Sequence, residues 1–389
     1  MSSFWPTEEQ AAIREAVGRI CADFDDEYWR RTDETGEFPE AFAGAMAAGG
    51  WLGVAMPEEY GGAGLGLTEA AHVMQTVAQS GAGFSGASAI HLNIFGLMPV
   101  VKFGTAEQKA RHLPRIIAGQ DKACFAVTEP NSGLDTANLE TRAEKKGNGY
   151  VVNGRKIWTT MAQRANKILI IARTTPKEQT AKAMQGLSLF YTDFDRARID
   201  ARPIPKMGRK AVECNMLFIE DLQVPADDLI GEEGKGFQYL ISGLNPERVL
   251  FGAEAVGLGR AAIAKAAQYA RERVVFGRPI GQNQGVQHPL ARCWAELEAA
   301  DLMAFKAAAM YDAGMDCGAE ANAAKYLGAE AGFRACEAAV LAHGGMGYAR
   351  EYDVERYLRE AMIARIAPVS REMILNFIGE RVLGLPKSY

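Results

Sequence analysis

The sequence predicts a three-part fold with a helical N-terminal domain, a β-rich central domain and a helical C-terminal bundle. Three textures predict it. Apolar residues recur at a spacing of three to four from residue 7 to about 120, short β-rich runs fill about 121 to 235, and long Ala-rich helical segments take over from about 236. The expected domains are therefore 1–120, 121–235 and 236–389.

Each element follows from its own stretch. "TEEQAAIREAVGRICADF" has the helical period, and "GTAEQKARHLPRIIAG" opens with a capping box from Thr105 to Gln108. In the middle, "GYVVNGRKIWTT" carries an Asn-Gly pair that reads as a hairpin turn, and "KILIIART", "GLSLFYTDF" and "NMLFIEDLQV" read as strands. The last third holds "RVLFGAEAVGLGRAAIAKAAQYARER", "HPLARCWAELEAADLMAFKAAAMYDAG" and "ANAAKYLGAEAGFRACEAAVLAHGG". Helices so rich in small residues suit a bundle packed at close range.

Composition narrows the function classes. A chain of 389 residues, 48% apolar, can bury two or three cores. Its 43 basic and 48 acidic residues form no long single-sign run, so no nucleic-acid footprint is expected. Cys21, Cys124, Cys214, Cys293, Cys317 and Cys336 are scattered, without a CxxC pair or a nearby His at ligand spacing. Reduced thiols, a cytoplasmic location and no metal site are the expectation. The N-terminus lacks a basic segment followed by an apolar one, and no stretch approaches the ~20 uncharged apolar residues that span a bilayer. Neither secretion nor a membrane span is expected.

Walker A and GxSxG motifs are absent. Present in chain order are "PEEYGGAGLG" (57–66), "FAVTEPNSGLD" (125–135), "VNGRKIWTT" (152–160), "VPADDLIGEEGKGF" (224–237), "RERVVFGRPIGQNQGVQ" (271–287) and "HGGMGY" (343–348). Together with the helix–β–helix order, these resemble the acyl-CoA dehydrogenase family over essentially the whole chain. The resemblance implies an N-terminal α-helical domain, a central β-barrel or sandwich and a C-terminal four-helix bundle. It also implies a FAD enzyme that desaturates an acyl-CoA thioester between Cα and Cβ. A carboxylate takes the α proton while the β hydride moves to flavin N5.

By the family pattern, Phe125, Val127 and Thr128 line the flavin, and Trp158 and Thr160 cover its ring. A β-domain core residue is the competing reading of Trp158 taken alone, and the matched "NGRK.W" weakens it. Arg273, Phe276 and Gln284 hold the pyrophosphate and adenine, in this family usually those of the neighbouring subunit. Gly344 and Gly345 let the backbone approach the cofactor, although a turn needing positive φ explains them too. The pattern also carries Ser370 and Glu372 of "PVSREM" to the cofactor. It implies an electron-transferring flavoprotein as electron acceptor and a homo-oligomer, a dimer or a homotetramer.

Three positions depart from the pattern. Leu134 stands where the family usually has Ser, and Leu341 where Gln is frequent. More consequentially, Pro368 stands where many members have the catalytic Glu. Proline supplies neither a proton-accepting side chain nor a backbone N–H. Structurally, Pro368 reads as the start of the last helix.

A minority of the family, isovaleryl-CoA dehydrogenase among them, carries its base on another helix, as the Glu directly before the Arg of an "LDxER"-like segment. In "SGLNPERVLFG" (242–252) that position is Glu247. The competing account is helix capping, with Asn245 as N-cap, Pro246 as first helical residue and Glu247 complementing the dipole. Asn245 and Arg248 are then expected beside the CoA portion of the substrate, and "NIFGLMPVVKF" (93–103) in the wall around the acyl chain. Two rival functions remain: a flavin monooxygenase of the same fold, which needs no α-carbon base, and a non-catalytic acyl-CoA or flavin-binding protein.

Overall fold

The computed structural model describes residues 6–387. Seven helices come first: α1 (Glu8–Ala22), α2 (Asp26–Thr35), α3 (Glu40–Ala48), α4 (Leu67–Val77), α5 (Gly83–His91), α6 (Met98–Phe103) and α7 (Ala106–Ile117). The capping box at Thr105 is present, with the Thr105 hydroxyl and the Gln108 amide satisfying each other's backbone N–H groups.

From α4 to α6 the chain is one interrupted helical run. It widens to π-type turns at Ala78–Ala82 and Leu92–Gly96, and Gly81 (φ 103°) and Gly83 (φ 60°) take the left-handed backbone that the first interruption needs. The freed groups are caught from the C-terminal part of the chain. Arg356 donates to the Gly81 carbonyl, and Glu360 accepts from the Ser85 N–H and hydroxyl. This run, Leu67–Phe103, is long and apolar enough to cross a membrane, against the sequence expectation, but 78% of its apolar window is buried inside the protein. Its hydrophobicity is that of a core element.

The central strands are β1 (Ala123–Ala126), β2 (Arg142–Lys146), β3 (Gly149–Thr160), β4 (Lys167–Arg173), β5 (Leu187–Asp193), β6 (Ile199–Pro203), β7 (Cys214–Pro225) and β8 (Leu229–Ile230). Their order is β6-β7-β3-β2-β4-β5-β8, with β1 parallel to β4. A single pair, Arg142 and Arg173, joins the two halves. Val152, Leu217 and Ile219 from one half meet Ile168, Ile170 and Phe190 from the other in one core. Asn153–Gly154 is no turn. β3 runs straight through it, and the register shifts between Val152 and Gly154, so the Asn-Gly pair marks a bulge, fixed by bonds between Asn153 and Asp221.

The remaining elements are α8 (Gly236–Ser242), α9 (Leu244–Glu272), a two-strand ribbon β9 (Val274–Val275) and β10 (Arg278–Pro279), α10 (Gln284–Asp312), α11 (Gly318–His343), α12 (Val354–Ile366) and α13 (Arg371–Phe377). Helices α9 to α12 form the bundle. The Ala and Gly content explains the close approach: a Cβ on Gly328 of α11 would stand 2.5 Å from the Gly252 carbonyl oxygen of α9.

Candidate functional site

Two of the motifs meet at one edge of the β domain. The Ile157 N–H donates to the Thr128 carbonyl at 2.9 Å, which sets "FAVT" against "KIWTT". Behind them Lys156 is fully buried and donates to the Val127 carbonyl (3.0 Å) and to Glu129 (2.9 Å). Burial works against the Glu129 charge. Lys156, Thr141 and the Glu140 N–H more than offset it and hold the carboxyl below its usual range. The buried pair therefore pins the strand ends. In front of it Trp158 stands 53% exposed with φ 61°, so the core reading of Trp158 fails, while Phe125, Val127, Thr128 and Thr160 are each half-buried. The Thr160 hydroxyl lies 3.6 Å from the Cys214 sulfur.

Asn245 is not an N-cap. α9 starts at Leu244, capped at Gly243, because α8 runs into it almost without a break; Pro246 is the third helical residue, and the Glu247 N–H already donates to the Gly243 carbonyl. Asn245 instead accepts from the Arg248 guanidinium at 2.8 Å, and the Arg248 Nε is buried without a partner. Glu247 is half-buried in the wall of a narrow cavity lined also by His91, Leu92, Phe95, Gly96, Pro99, Phe125, Leu240 and Leu244. Burial raises the Glu247 pKa above the usual carboxylate range; His91 and Arg248 pull it back, and Glu254 adds to the rise. The cavity thus joins a carboxylate of elevated basicity to the Phe125 edge of the β domain. Of "NIFGLMPVVKF", Phe95, Gly96 and Pro99 face it.

The other candidates lie elsewhere. Arg273 follows the last residue of α9, about 40 Å along the axis from Glu247 at 1.5 Å per residue. Phe276, at the tip of the β9–β10 ribbon, is 99% exposed with φ 52°. Gln284 opens α10 and is exposed. Gly344 (φ 61°) and Gly345 follow α11 at the same end, where His343 stacks on Tyr269 of α9 with ring centroids 4.3 Å apart, and no atom lies within 4 Å of a Cβ built on either glycine.

Pro368 does not start the last helix. It precedes α13, whose N-cap is Ser370, and the Ser370 hydroxyl accepts from the Met373 N–H at 3.3 Å. Glu372 pairs with Arg371 at 2.6 Å on an exposed surface. The segment is anchored from α11, where buried Lys325 donates to the Val369 carbonyl at 2.6 Å. Burial brings the Lys325 pKa down to about 8, with Arg248 pushing the same way.

Sequence reasoning missed His91 and Glu254. His91 ends α5 directly before the Leu92–Gly96 widening and donates from Nδ1 to Glu254 Oε1 at 2.6 Å. Glu254 is fully buried on α9, two turns beyond Glu247. A signal existed: Glu254 is the lone acid in "RVLFGAEAVGLG" and shares a helix face with Glu247. Its partner lay more than 160 residues away.

Three family models match in order. They describe the acyl-CoA dehydrogenase N-terminal domain (residues 7–120), middle domain (124–222) and C-terminal domain (234–383). Among relatives, an acyl-CoA dehydrogenase of Mycobacterium bovis, fadE12, is 39% identical over 394 residues, covering 100% of this chain and 99% of its own. The solved structure of butyryl-CoA dehydrogenase from Megasphaera elsdenii is 28% identical with a TM-score of 0.91, covering 97% of this chain and 98% of that one. A FAD complex of PigA is 25% identical at the same TM-score of 0.91, with coverage of 97% and 98%.

Proposed function

The chain belongs to the acyl-CoA dehydrogenase family of oxidoreductases, and from that premise we propose that it is a FAD-dependent acyl-CoA dehydrogenase whose base is Glu247. The observation that carries the reading is the shared cavity, in which the raised Glu247 carboxylate and Phe125 line one space between the C-terminal and β domains.

The residues fit a flavin. Trp158 stands free at the end of β3, beside the half-buried Phe125–Thr128 segment, where a flat aromatic ring can cover it. FAD, when bound, supplies the acceptor for the β hydride. The protein's own work is orientation, exclusion of water and one proton transfer. Leu92, Pro99, Leu240 and Leu244 give the acyl chain an apolar wall, and Glu247 accepts the α proton with a pKa that burial has moved toward working pH. Arg248, held by Asn245, follows the base directly on α9 and is assigned to the CoA portion of the substrate. Pro368 offers no base and no N–H, which leaves Glu247 as the carboxylate for this step.

The cofactor assignments for Arg273, Phe276, Gln284, Gly344 and Gly345 require a second subunit. One chain cannot bring both ends of α9 to one flavin across about 40 Å. The protein therefore works as a homo-oligomer, at least a dimer, in which each far end completes a neighbour's FAD site. Electrons leave to an electron-transferring flavoprotein. Ser370 and Glu372 sit on the Arg248 side, linked through Lys325. Ser370 acts there as a helix cap, and any contact it makes to FAD is additional to that role.

Anaerobic mixing of the holoenzyme with butyryl-, isovaleryl-, octanoyl- and 3-phenylpropionyl-CoA tests the proposal. A dehydrogenase bleaches its flavin with one of these alone. A monooxygenase needs reduced flavin and oxygen, and a binding protein bleaches with none of them.

A further inference from the structure

The wall of the Glu247 cavity contains a pair of charges that the proposed reaction does not use. His91 lines the cavity, and its Nδ1 donates to Glu254, which is completely buried beneath it. Glu254 Oε2 has no partner. The rest of that wall is apolar, formed by Leu92, Phe95, Pro99, Leu240 and Leu244. Desolvation of a buried ion pair can exceed its Coulombic gain, and apolar residues of similar volume often stabilise as well or better. Stability alone does not account for it.

Geometry gives the pair a direction. Glu254 lies two turns along α9 from Glu247, His91 reaches across from α5 to Glu254, and His91 and Glu247 both line the cavity. The charged groups facing His91 are Glu254 and Glu247 from α9 and Arg209 from the segment after β6. Those facing Glu247 are His91 from α5, with Arg248 and Glu254 from its own helix.

We propose that His91, tethered by Glu254, is a positioning residue for the base: a fixed cation in the cavity wall that keeps the Glu247 carboxylate ionised in a site that substrate has dried. The inference rests on Glu247 being the base. Burial by itself works against a charge on His91, but Glu254 and then Glu247 outweigh it and hold the imidazole above its ordinary range. The benefit returns to Glu247, on which the opposing pull of His91 exceeds the push of Glu254. Without the pair, the base protonates at higher pH, and fewer molecules are competent at neutrality.

The test is the pH dependence of single-turnover flavin reduction, with whichever CoA ester of the panel reduces the wild type fastest. The double variant His91→Asn/Glu254→Gln replaces the ion pair by a neutral hydrogen-bonded pair and strands no buried charge. Its rising limb is expected above that of the wild type, by less than the ~1 pH unit that loss of one nearby opposite charge would give, because Glu254→Gln also removes the opposing push on Glu247. The rate deficit should stay below about tenfold on the acid side and should close as pH rises. A merely structural role would alter stability and leave the limb where it is. An unshifted or downshifted limb overturns the proposal.

Glu247→Gln, measured alongside, separates the two ideas. If it reduces flavin like the wild type, the base assignment has failed; if it is inactive while the double variant's limb is unshifted, only the role of His91 has failed. Should the double variant not fold, the wild-type holoenzyme still decides the matter through ¹⁵N-histidine spectra. A histidine that holds its proton above the ordinary imidazole range, unlike the downshifted His72, His112 and His343, is expected. Its absence overturns the inference.

Discussion

The two ends of α9 are built on opposite principles. At its N-terminal end Glu247, Arg248 and Glu254 are drawn into the protein and answered by residues of the same chain: His91, Asn245 and the apolar cavity wall. At its C-terminal end the chain turns through a short ribbon that leaves Phe276 almost wholly in solvent and Val274 more than half exposed, with Gly344, Gly345 and an 89% exposed Tyr348 alongside. Large apolar side chains displayed together usually mark a surface that something else covers. One end is answered within a single chain, and on the proposed reading the other is completed by a neighbouring subunit. The helix between them is the rigid spacer that keeps the two roles apart.

Breaking the comparison at the far end should give the largest effect on cofactor and assembly. Arg273→Ala combined with Phe276→Asp is expected to weaken FAD retention at least tenfold and to shift sedimentation toward smaller species. The far-UV circular dichroism should not change, because neither residue is in a core. If FAD and mass are unaltered, the exposed end does not serve a neighbour.

Acid should act through two buried histidines of the N-terminal domain, His72 on α4 and His112 on α7. Burial pushes the imidazoles of His72 and His112 down to about 4. Unfolded histidine titrates near 6.5, so between about pH 6.5 and 4 the unfolded chain binds the extra protons. Stability is intact above that window and falls as pH drops through it, by on the order of 2–3 kcal/mol for each histidine. Urea denaturation at pH 7 and pH 5 measures the loss, and His112→Gln should shrink it.

Smaller effects sharpen the picture of the spacer. Gly328→Ala puts a methyl 2.5 Å from a carbonyl of α9 and should cost about 1–3 kcal/mol by forcing the helices apart. Ser370→Ala should cost about 1 kcal/mol through the lost cap, with flavin content unchanged if capping is its main role. Thermal melts of both variants supply the comparison.

The α–β–α order and most strands were legible because period and turn chemistry are local properties. The errors came where tertiary structure overrode a local signal. Asn153–Gly154 has the composition of a hairpin turn, yet β7 continues pairing past it and absorbs the pair as a bulge. Asn245–Pro246 has the composition of a helix start, yet α8 feeds directly into α9 and moves the start back to Leu244. Pro368 has the composition of a first helical residue, but Ser370 offers the better cap.

In the candidate site, the motif residues on β1 and β3 could be singled out because each lies in a contiguous recognisable stretch. Their juxtaposition rests on the Ile157–Thr128 bond and the buried Lys156, which no single stretch displays. His91 was illegible for a different reason. Its meaning comes from Glu254 on another helix and from the π-type widening at Leu92–Gly96 that follows it.

The central claim is that Glu247 is the proton acceptor and not a helix cap. Its most direct test is single-turnover anaerobic flavin reduction by Glu247→Gln at saturating acyl-CoA. Glutamine preserves volume and helix geometry, so FAD and acyl-CoA binding should persist while reduction falls by at least 10²–10⁴-fold, the usual worth of a general base. Reduction within about tenfold of the wild-type rate would contradict the account and return the reaction to the monooxygenase and binding-protein readings.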